Sequence, residues 1–541
     1  MAGASGTPDE SIPDSGAAYV FVRSGTTWVQ QAYLKASNAD IGDRFGYSVA
    51  VSGDTVVVGA VWEDSNTIGL NSTPNEHGSN SGAVHVFVRS GTTWTQQVFL
   101  KASNNVANAN FGWSVAMSGE TVVVGSYNGR GAYVFVRSGT AWSQQARLIA
   151  GFGAVTGSFN DFFGTSVSVS GDTLIVGAYA EDSSTTTVNS TPDEAAQDSG
   201  AAFVFVRSGA SWTQEAYLKA SNTRVGNQFG WSVSVSGNSV IVGAPGESST
   251  TTGVNSTPNA IALNPGAAYA FVRNGTTWSQ EAYLKASNTG AGDRFGTAVA
   301  ISDQTVVVGA ISEDSGTTGV NSSSDESASG SGAAYVFARS GTTWSQQAYV
   351  KAANTGADDQ FGTSVALSGD TLVIGARWED STTSGVNSTP NEGFGDSGAA
   401  YIFTGFGPSL TARQIWRQQY FGTASNSGNG ADGFDFEGDG LVNYLEWACH
   451  LDPTLPSAPP VALVRNGANL EFTYSRSVSA INAGTTFTVE WSDALAPPGW
   501  STSGVSETIL SDNVTVKQVK ALVPAGSGGQ RFVHLKVMGP P

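Results

Sequence analysis

Oxygen-bearing side chains recur at alternate positions in one stretch of twelve residues, 435–446. Acidic or amide residues occupy positions 1, 3, 5, 9 and 12 of this stretch, and glycine occupies position 6. Calcium loops use this arrangement because oxygen ligands suit a hard cation, glycine permits the sharp turn, and the last glutamate binds through both oxygens. The spacing therefore predicts one Ca²⁺ site with the ligands Asp435, Glu437, Asp439, Leu441 (through its carbonyl), Asn443 and Glu446.

The segments around this loop predict the elements that position it. The twelve residues resemble an EF-hand loop. No entering helix is obvious before them, so they are more similar to the isolated calcium loops of dockerins and related bacterial surface proteins. A helix is expected from Leu441 to Leu451, because Asp452-Pro453 would end it. We interpret 406–433 as a helical bridge and a Gly/Ser/Asn linker, 434–455 as an EF-hand-like calcium loop and helix, and 456–541 as a small β-sandwich of alternating runs.

The remainder of the chain is an internal repeat. The pair Phe-Gly recurs in register six times, at spacings of 66, 52, 66, 66 and 66 residues. A fixed period of this length, filled with short apolar runs, is typical of an array whose units bury their apolar faces against neighbouring units. The phenylalanines of the six pairs are Phe45, Phe111, Phe163, Phe229, Phe295 and Phe361.

Each unit contains four strand signals, which we name A to D. In the unit that begins at Phe45, strand A ends at the turn Gly53-Asp54, and strand B is the β-branched run 55–60. A long polar loop follows, and strands C and D cover 82–91 and 92–102. Four consecutive antiparallel strands per repeat predict an all-β fold, namely a β-propeller of four-stranded antiparallel blades over residues 1–405.

The number of blades depends on how the ends of the array are counted. The chain opens with strands C and D, continues with five complete units, and closes with A, B and C, which gives 25 strands. This count favours a seven-bladed parent with a truncated first blade. A six-bladed closure, in which the D strand at Trp28 completes the last blade, is the alternative. Because the chain begins inside a repeat, we expect it to be N-terminally incomplete, and no signal peptide is present in it.

The repeat resembles the FG-GAP family, which builds the propeller of integrin α subunits, in its bacterial versions. The likeness rests on Phe-Gly, on Val-Gly-Ala 13 residues after the phenylalanine, as at Val58-Gly59-Ala60, and on Gly-Ala-Ala-Tyr-Val-Phe, over residues 16–404. The resemblance implies a propeller that is usually extracellular and often used for binding. Some integrin A–B hairpins carry an Asp-x-Asp-x-Asp-Gly calcium loop, whereas every A–B connection here is a tight turn, so calcium is not expected at those hairpins.

Composition excludes several classes of protein. The 44 acidic residues outnumber the 25 lysines and arginines, and the formal net charge of −19 is opposite to what a nucleic-acid partner requires. No apolar run is long enough to span a membrane. The single cysteine, Cys449, permits no internal disulfide. We expect a monomer with no membrane span.

The loop between strands B and C is long, repetitive and acidic. In the unit at Phe111 the distance between the flanking glycines is 6 residues rather than 23, so the fold does not need the loop, and partner contacts are expected there. Its carboxylates could hold further Ca²⁺, although their spacing matches no standard loop. The alternative is a solvated acidic rim. Its acidic pairs are Glu63-Asp64, Glu181-Asp182, Glu313-Asp314 and Glu379-Asp380.

The chain carries none of the common nucleophile, zinc or phosphate-binding motifs. We therefore favour a non-catalytic extracellular or cell-surface binding or adhesion protein. Its partner would be a protein or glycan ligand at the cell surface or matrix, and calcium would stabilise the C-terminal segment. Two alternatives remain open. One is a carbohydrate-active enzyme with carboxylates in the propeller channel, and the other is a structural spacer in an envelope or matrix.

Overall fold

A computed structural model describes residues 3–4, 11–128, 131–150, 161–391, 393, 395–406, 413, 416–417, 420, 433, 435, 441–455, 461–493, 500–525 and 531–539. The chain divides into two compact units, Met1–Pro408 and Ser409–Pro541. The first unit holds the repeats, and the second holds the predicted calcium loop.

The described residues of the first unit form seven antiparallel sheets, and in sheets 2 to 7 strands that follow one another in the chain are neighbours. Sheet 1 contains β1 (Gly3–Ala4), β2 (Ala18–Ser24) and β3 (Thr27–Lys35), in the order β1-β3-β2. Sheet 2 contains β4 (Phe45–Ser52), β5 (Thr55–Ala60), β6 (Ala83–Ser90) and β7 (Thr93–Leu100). Sheet 3 contains β8 (Phe111–Ser118), β9 (Thr121–Ser126), β10 (Gly131–Ser138) and β11 (Ala141–Leu148). Sheet 4 contains β12 (Ser166–Ser170), β13 (Thr173–Ala178), β14 (Ala201–Ser208) and β15 (Ser211–Leu218). Sheet 5 contains β16 (Ser232–Ser236), β17 (Ser239–Ala244), β18 (Ala267–Asn274) and β19 (Thr277–Leu284). Sheet 6 contains β20 (Phe295–Ser302), β21 (Thr305–Ala310), β22 (Ala333–Ser340) and β23 (Thr343–Val350). Sheet 7 contains β24 (Phe361–Ser368), β25 (Thr371–Ala376) and β26 (Ala399–Thr404).

The strand pattern follows from local sequence. Strand B of sheet 2, TVVVGA, has all six residues buried, which suits β-branched residues covered on both faces. The A–B connection has two residues, and Gly53 in it has a φ of 54°, a left-handed conformation that glycine adopts at low cost. Sheets 2 to 6 each contain the predicted strands A to D in that order.

The sheets pack side by side through their first strands. Strand A of each sheet lies beside strand A of the next, from sheet 2 to sheet 7, which is the radial arrangement of a β-propeller. Phe229 of a Phe-Gly pair is fully buried and packs against Ile175 and Val204 of the preceding sheet. The indole N–H of Trp278 donates to Glu215 of the preceding sheet at 2.8 Å. The aromatic residues of the repeat therefore form part of the core between neighbouring blades.

Two motif glycines meet where neighbouring sheets approach. A Cβ added to Gly177, the glycine of Val-Gly-Ala in sheet 4, would lie 2.0 Å from the carbonyl oxygen of Gly230, the glycine of Phe-Gly in sheet 5. The hydroxyl of Ser166 donates to that same carbonyl at 2.8 Å. Both glycines of the repeat signature are therefore required by backbone contact between blades. The same contact recurs at Gly59–Gly112, Gly125–Gly164, Gly243–Gly296 and Gly309–Gly362.

Alanine at Gly177 is expected to destabilise the propeller by about 1–3 kcal/mol or more, because the methyl group has to displace the backbone of the next sheet. Gly375 is a matched control. It occupies the same motif position in sheet 7, but its nearest neighbour there is the flexible hydroxyl of Ser364 at 2.5 Å. Gly375→Ala should therefore cost clearly less in urea unfolding followed by tryptophan fluorescence. Equal losses for the two variants would contradict the contact between sheets.

Strand pairing in the first and last sheets tests the six-bladed closure of the ring. Strand β3, which contains Trp28, pairs with β2 and, on its other side, with β1. It therefore does not complete sheet 7, as the six-bladed alternative requires, and sheet 7 has three strands within the described residues. The short strand β1 raises the strands of the array from the predicted 25 to 26 among the residues that the structure describes. A seven-bladed parent remains the prediction.

The second unit contains two antiparallel sheets and two short helices among its described residues. One sheet has the order β27 (Val461–Asn466), β28 (Asn469–Ser477), β31 (Val516–Pro524), β30 (Ser506–Asp512), and the other pairs β29 (Thr486–Ser492) with β32 (Phe532–Met538). Phe472, Val489 and Val519 bring both sheets into one core. The helices are α1 (Asn443–Cys449) and α2 (Val478–Asn482). In the described part of the chain, no helix is long and apolar enough to cross a membrane.

Candidate functional site

The predicted calcium loop leads into helix α1. Asn443 and Glu446, the ninth and twelfth positions of the loop, lie three residues apart at the start of this helix and hence on the same face. Both side chains are buried, at 1 % and 0 % exposure. A buried pair of oxygen donors on one face fits the ligands that Ca²⁺ takes. Asp435 and Leu441 are also described, whereas Glu437 and Asp439 lie outside the described residues.

The predicted helix around the loop is shorter than expected. The sequence predicts Leu441–Leu451, and α1 covers Asn443–Cys449, with His450 in the left-handed conformation that ends it. Trp447 and Ala448 of α1 pack against Ala480 of α2, so an apolar cluster holds the helix in place. This packing fixes the orientation of the two buried donors.

The first glutamate of each long B–C loop lies inside the protein, whereas Glu76, Glu194 and Glu326 later in these loops are exposed. Glu181 is 2 % exposed, and Lys219, which follows β15, places its Nζ 2.8 Å from Oε2 of Glu181. The same ammonium donates to the hydroxyl of Ser199 at 2.9 Å and to the carbonyl of Gly200 at 2.7 Å. The interpretation of the loops as a solvated acidic rim is therefore wrong for these buried glutamates. Equivalent ion pairs are Lys101–Glu63, Lys285–Glu247 and Lys351–Glu313.

These ion pairs also connect successive sheets. Asn222, which lies after the last strand of sheet 4, donates to Oε1 of Glu247 in the B–C loop of sheet 5 at 2.9 Å. The hydroxyl of Tyr269, in strand C of sheet 5, donates to Asn222 at 2.6 Å. The glutamate thus accepts hydrogen bonds from two blades at once, and the loop that carries it is a structural connection.

Other polar residues of the loops accept hydrogen bonds from the backbone of the same loop or of strand D. Asp182 accepts the backbone N–H of Asp198 at 2.8 Å, and Asn189 accepts the N–H of Tyr217 at 2.8 Å. Among the residues that the structure describes, no three His, Cys, Asp or Glu side chains lie close enough together to hold a metal ion. Calcium in the B–C loops stays a prediction.

A second set of buried carboxylates precedes the Phe-Gly pairs. Asp43 and Asp293 are 2 % and 4 % exposed, and burial raises the pKa of each carboxyl to about 7. Backbone N–H groups oppose the rise, because Asp293 accepts from Gly290 at 2.6 Å and Asp43 accepts from Asp40 at 2.8 Å. Nearby carboxylates add to it, with Glu63 next to Asp43 and Glu313 next to Asp293.

Asp293→Asn is expected to flatten the pH dependence of stability. The pKa of Asp293 rises from 3.8 in the unfolded chain to about 7 in the folded protein, so between these values only the folded state holds the proton. The stabilisation that protonated Asp293 contributes is complete below pH 3.8 and is lost as the pH rises through about 7. The free energy of unfolding then falls by at most ~1.4 kcal/mol per pH unit. Urea unfolding at a series of pH values measures this slope.

Another unit of the chain already has asparagine at the position of Asp293. Asn227 occupies the same motif position in sheet 5, is buried, and donates to the carbonyl of Asn222 at 3.3 Å. Asparagine should therefore fit at position 293. Asp172→Asn, at a largely exposed carboxylate, is the control that should leave the slope unchanged. An unchanged slope in Asp293→Asn would contradict the raised pKa.

Six aromatic side chains form a continuous line along one end of the innermost strands. Successive ring centroids are 4.7, 4.4, 4.7, 5.2 and 4.8 Å apart. All six rings are partly exposed or exposed. The line crosses sheets 2 to 5, and we call it the aromatic crescent. Its members, in order, are Tyr47, Trp113, Tyr127, Phe162, Tyr179 and Trp231.

Three positions of the repeat supply these rings: the residue before Phe-Gly, the residue after it, and the residue after Val-Gly-Ala or its equivalent. In other units the residue after Phe-Gly is threonine, as at Thr297 and Thr363. Because those units form the same sheets, the fold does not require aromatic rings at these positions. The hydroxyls of Tyr127 and Tyr179 lie 3.1 Å apart and hydrogen-bond each other.

Arginines lie at both ends of the crescent. The guanidinium of Arg294 is 5.9 Å from the ring of Trp231. At the other end, burial raises the pKa of the Tyr47 phenol, and the positive charges of Arg377 and Arg44 oppose the rise. Sequence reasoning missed this surface, because the residues come from six separate segments. A comparison of the units position by position would have revealed it.

Comparison with known proteins identifies the repeat. A putative 6-phosphogluconolactonase from Bacteroides uniformis ATCC 8492 is similar in structure over 71 % of this chain and 94 % of that chain, with a TM-score of 0.39 and 11 % identity, a likeness too weak to inform on function. None of the curated proteins compared with the chain matches it. The profile of the FG-GAP repeat matches residues 28–87, 94–140, 142–205, 212–271, 278–337 and 344–403. These matches cover more than half of the sequence, and the chain belongs to the FG-GAP repeat family.

Proposed function

We propose that this chain is a non-catalytic binding protein whose ligand surface is the rim of the propeller that carries the aromatic crescent. One observation carries the proposal: six neighbouring rings stay at least partly exposed at positions where other units of the same chain have residues such as threonine. Exposed apolar patches of this kind mark interaction sites in soluble proteins. A spacer without a ligand has no use for such a surface.

The enzyme alternative has less support. A glycosidase needs a pair of carboxyl groups on either side of the scissile bond. The six innermost strands contain no aspartate or glutamate. Of the five buried glutamates in the B–C loops, four are paired with lysines, and Glu379 accepts a hydrogen bond from Asn354. A propeller used for binding fits these features better.

The proposal includes calcium in the second unit and a location outside the cell or at its surface. Residues 435–446 would hold the ion, and when bound it would cross-link the loop to helix α1. The location is supported by the FG-GAP repeat, because proteins with this repeat are often extracellular. The proposed calcium ligands are Asp435, Glu437, Asp439, Leu441, Asn443 and Glu446.

Binding to immobilised cell-surface glycans and matrix proteins tests the proposal. The whole chain is compared with the double variant Trp113→Thr/Trp231→Thr, in which both residues take the identity found at Thr297 and Thr363. We expect binding to at least one component of the panel, and its loss in the variant. Ile261→Ser, at a side chain that is 77 % exposed in a B–C loop, is the control that should bind like the wild type. Binding that survives in the double variant would reject the crescent as the ligand surface.

A further inference from the structure

We propose that the contact between sheets 1 and 2 is an acid-sensitive joint, which opens when His85 takes up a proton. His85 lies in β6 and is completely buried. It shares a face of this strand with Phe87, which packs with Leu34 of sheet 1, so His85 belongs to the interface between the two sheets. The inference is independent of the ligand proposed above, because it concerns a core residue of the propeller.

Four other junctions between successive sheets share one hydrogen bond. In each of them a tyrosine of strand C donates its hydroxyl to the side chain of an asparagine that follows strand D of the preceding sheet. The donor–acceptor distances are 2.6–2.8 Å. The bond joins two sheets and therefore helps to hold one blade against the next. The pairs are Tyr133–Asn104, Tyr269–Asn222, Tyr335–Asn288 and Tyr401–Asn354.

The junction between sheets 1 and 2 does not form this bond. His85 occupies the position of the tyrosine, and Asn38 occupies the position of the asparagine. A histidine ring is shorter than the side chain of a tyrosine, and it does not reach the amide. Both ring nitrogens of His85 and Oδ1 of Asn38 are buried without a hydrogen-bond partner among the residues that the structure describes. Unpaired buried polar atoms cost stability, so this junction lacks a stabilising contact that four others have.

The surroundings of His85 exclude a proton while the joint is closed. The rings of Phe45 and Phe99 pack against it, with centroids 5.4 and 5.2 Å from its own. Burial lowers the pKa of His85 to about 4, Gln96 opposes the shift without forming a hydrogen bond to the ring, and the charge of Lys101 adds to it. The ring therefore takes up a proton at mildly acidic pH only when it reaches water, which requires sheet 1 to move away from sheet 2.

Two carboxyl groups lie in the same junction. Glu63 accepts from Lys101 at 2.7 Å and from Asn38 at 3.1 Å, so its charge is already balanced by the lysine. Asp43 has a pKa that burial raises to about 7, so acid acts through Asp43 in the opposite direction and favours the closed joint. A substitution that changes only His85 therefore isolates the contribution of the histidine.

Sheet 1 is held less firmly than the complete sheets. Its strand β2 pairs with β3 and with no other strand in the described part of the chain. Tyr19 and Phe21 of β2 are 51 % and 41 % exposed, whereas the equivalent Tyr269 and Phe271 of sheet 5 are fully buried. Segments with few buried contacts open at a lower cost than the global unfolding of a protein. We therefore expect the opening to be confined to sheet 1.

Hydrogen exchange of the whole chain tests the inference, followed by mass spectrometry between pH 7 and pH 4.5 and corrected for intrinsic exchange rates. We expect the protection of β2 and β3 to fall by up to about tenfold for each pH unit below 6.5, because the open state takes up a proton that the closed state excludes. Strands β18 and β19 of sheet 5 serve as the internal reference, and their protection should change much less.

Two variants remove the titrating ring. His85→Phe uses the residue found at the same position in sheet 4, Phe203, and His85→Tyr uses the residue of the four bonded junctions. Both are therefore expected to fold, and both should lose the additional pH dependence of sheet 1. His85→Tyr should also increase the protection of sheet 1 at pH 7, because its hydroxyl can reach Asn38. His77→Ala, at an exposed histidine whose equivalent is Ala195, is the control that should behave like the wild type.

Three results would overturn the inference. The first is a protection of sheet 1 in the wild type that does not change with pH. The second is the same pH dependence in His85→Phe as in the wild type, which would assign the effect to other groups. The third is an equal loss of protection in sheets 1 and 5, which would mean that acid unfolds the propeller as a whole.

Discussion

Glu181→Ala is expected to destabilise the propeller by about 3–5 kcal/mol, one of the largest single effects of any substitution in this chain. The change leaves the ammonium of Lys219 buried at 1 % exposure without the carboxylate that lies 2.8 Å from it. Burial already lowers the pKa of Lys219, and Glu181 opposes this effect. Without the glutamate, the lysine must either lose its proton or keep an uncompensated charge, and both options cost stability.

One sheet of the chain lacks both residues of the ion pair. In sheet 3 the B–C loop is short and carries no glutamate, and the residue that follows its last strand is Ile149 instead of lysine. Glutamate and lysine are therefore both present in sheets 2, 4, 5 and 6, and both absent in sheet 3. In these complete sheets the two residues therefore occur together or not at all. In sheet 7, which has no strand D among the described residues, Glu379 is buried without a lysine and accepts from Asn354 at 2.8 Å. In sheet 1, Lys35 is only partly buried and donates to Ser15 and Gly16.

A double-mutant cycle separates the pair from the packing around it. Lys219→Ile leaves Glu181 with the hydroxyl of Tyr217 at 2.6 Å and should cost less than Glu181→Ala. The double variant should recover a substantial part of the loss. Asp172→Asn, at the exposed pair Asp172–Arg207, should change stability by less than ~1 kcal/mol, since the equivalent Asn238 also accepts a hydrogen bond from an arginine. Additive losses in the cycle, measured by urea unfolding, would contradict the proposed coupling.

Features of the first unit that depend on local sequence could be predicted. The run Thr55–Ala60 was predicted as strand B with both ends correct, because a β-branched run between turn residues has few other solutions. In the second unit the alternating run 469–477 forms strand β28, whereas β27 and β30 show no such alternation. Every residue of these two strands is exposed, so no alternation of apolar and polar residues marks them.

Features that depend on contacts between sheets could not be predicted in the same way. The acidic residues of the B–C loops read as solvated groups or metal ligands, because the lysine that pairs with Glu181 lies 38 residues away. The aromatic crescent was missed for the same reason: Trp113 lies in β8 and Tyr127 lies directly after β9, so they meet only when the sheet has formed. The calcium loop could be predicted from local sequence, because all its proposed ligands lie within twelve consecutive residues and their spacing matches a known type of loop.

Removal of calcium is expected to lower the melting temperature of the second unit, Ser409–Pro541. An ion that binds only the folded state stabilises it by about 3 kcal/mol when its free concentration is a hundredfold above the dissociation constant. Differential scanning calorimetry of the whole chain, with calcium and with excess chelator, measures the shift. The propeller transition should stay unchanged, because the predicted loop lies outside Met1–Pro408.

Glu446→Gln distinguishes calcium binding from a structural role of the same side chain. The fully buried carboxylate would supply the bidentate ligand of the proposed site, and glutamine keeps its shape without its charge. The variant should be less stable than the wild type in calcium and equally or more stable in chelator, because the protein's own contacts to this side chain are present under both conditions. Asp512→Asn, at an exposed carboxylate paired with Lys517, should show no such reversal. A loss of the same size in both buffers would mean that Glu446 stabilises the fold by itself, and the calcium site would have to be abandoned.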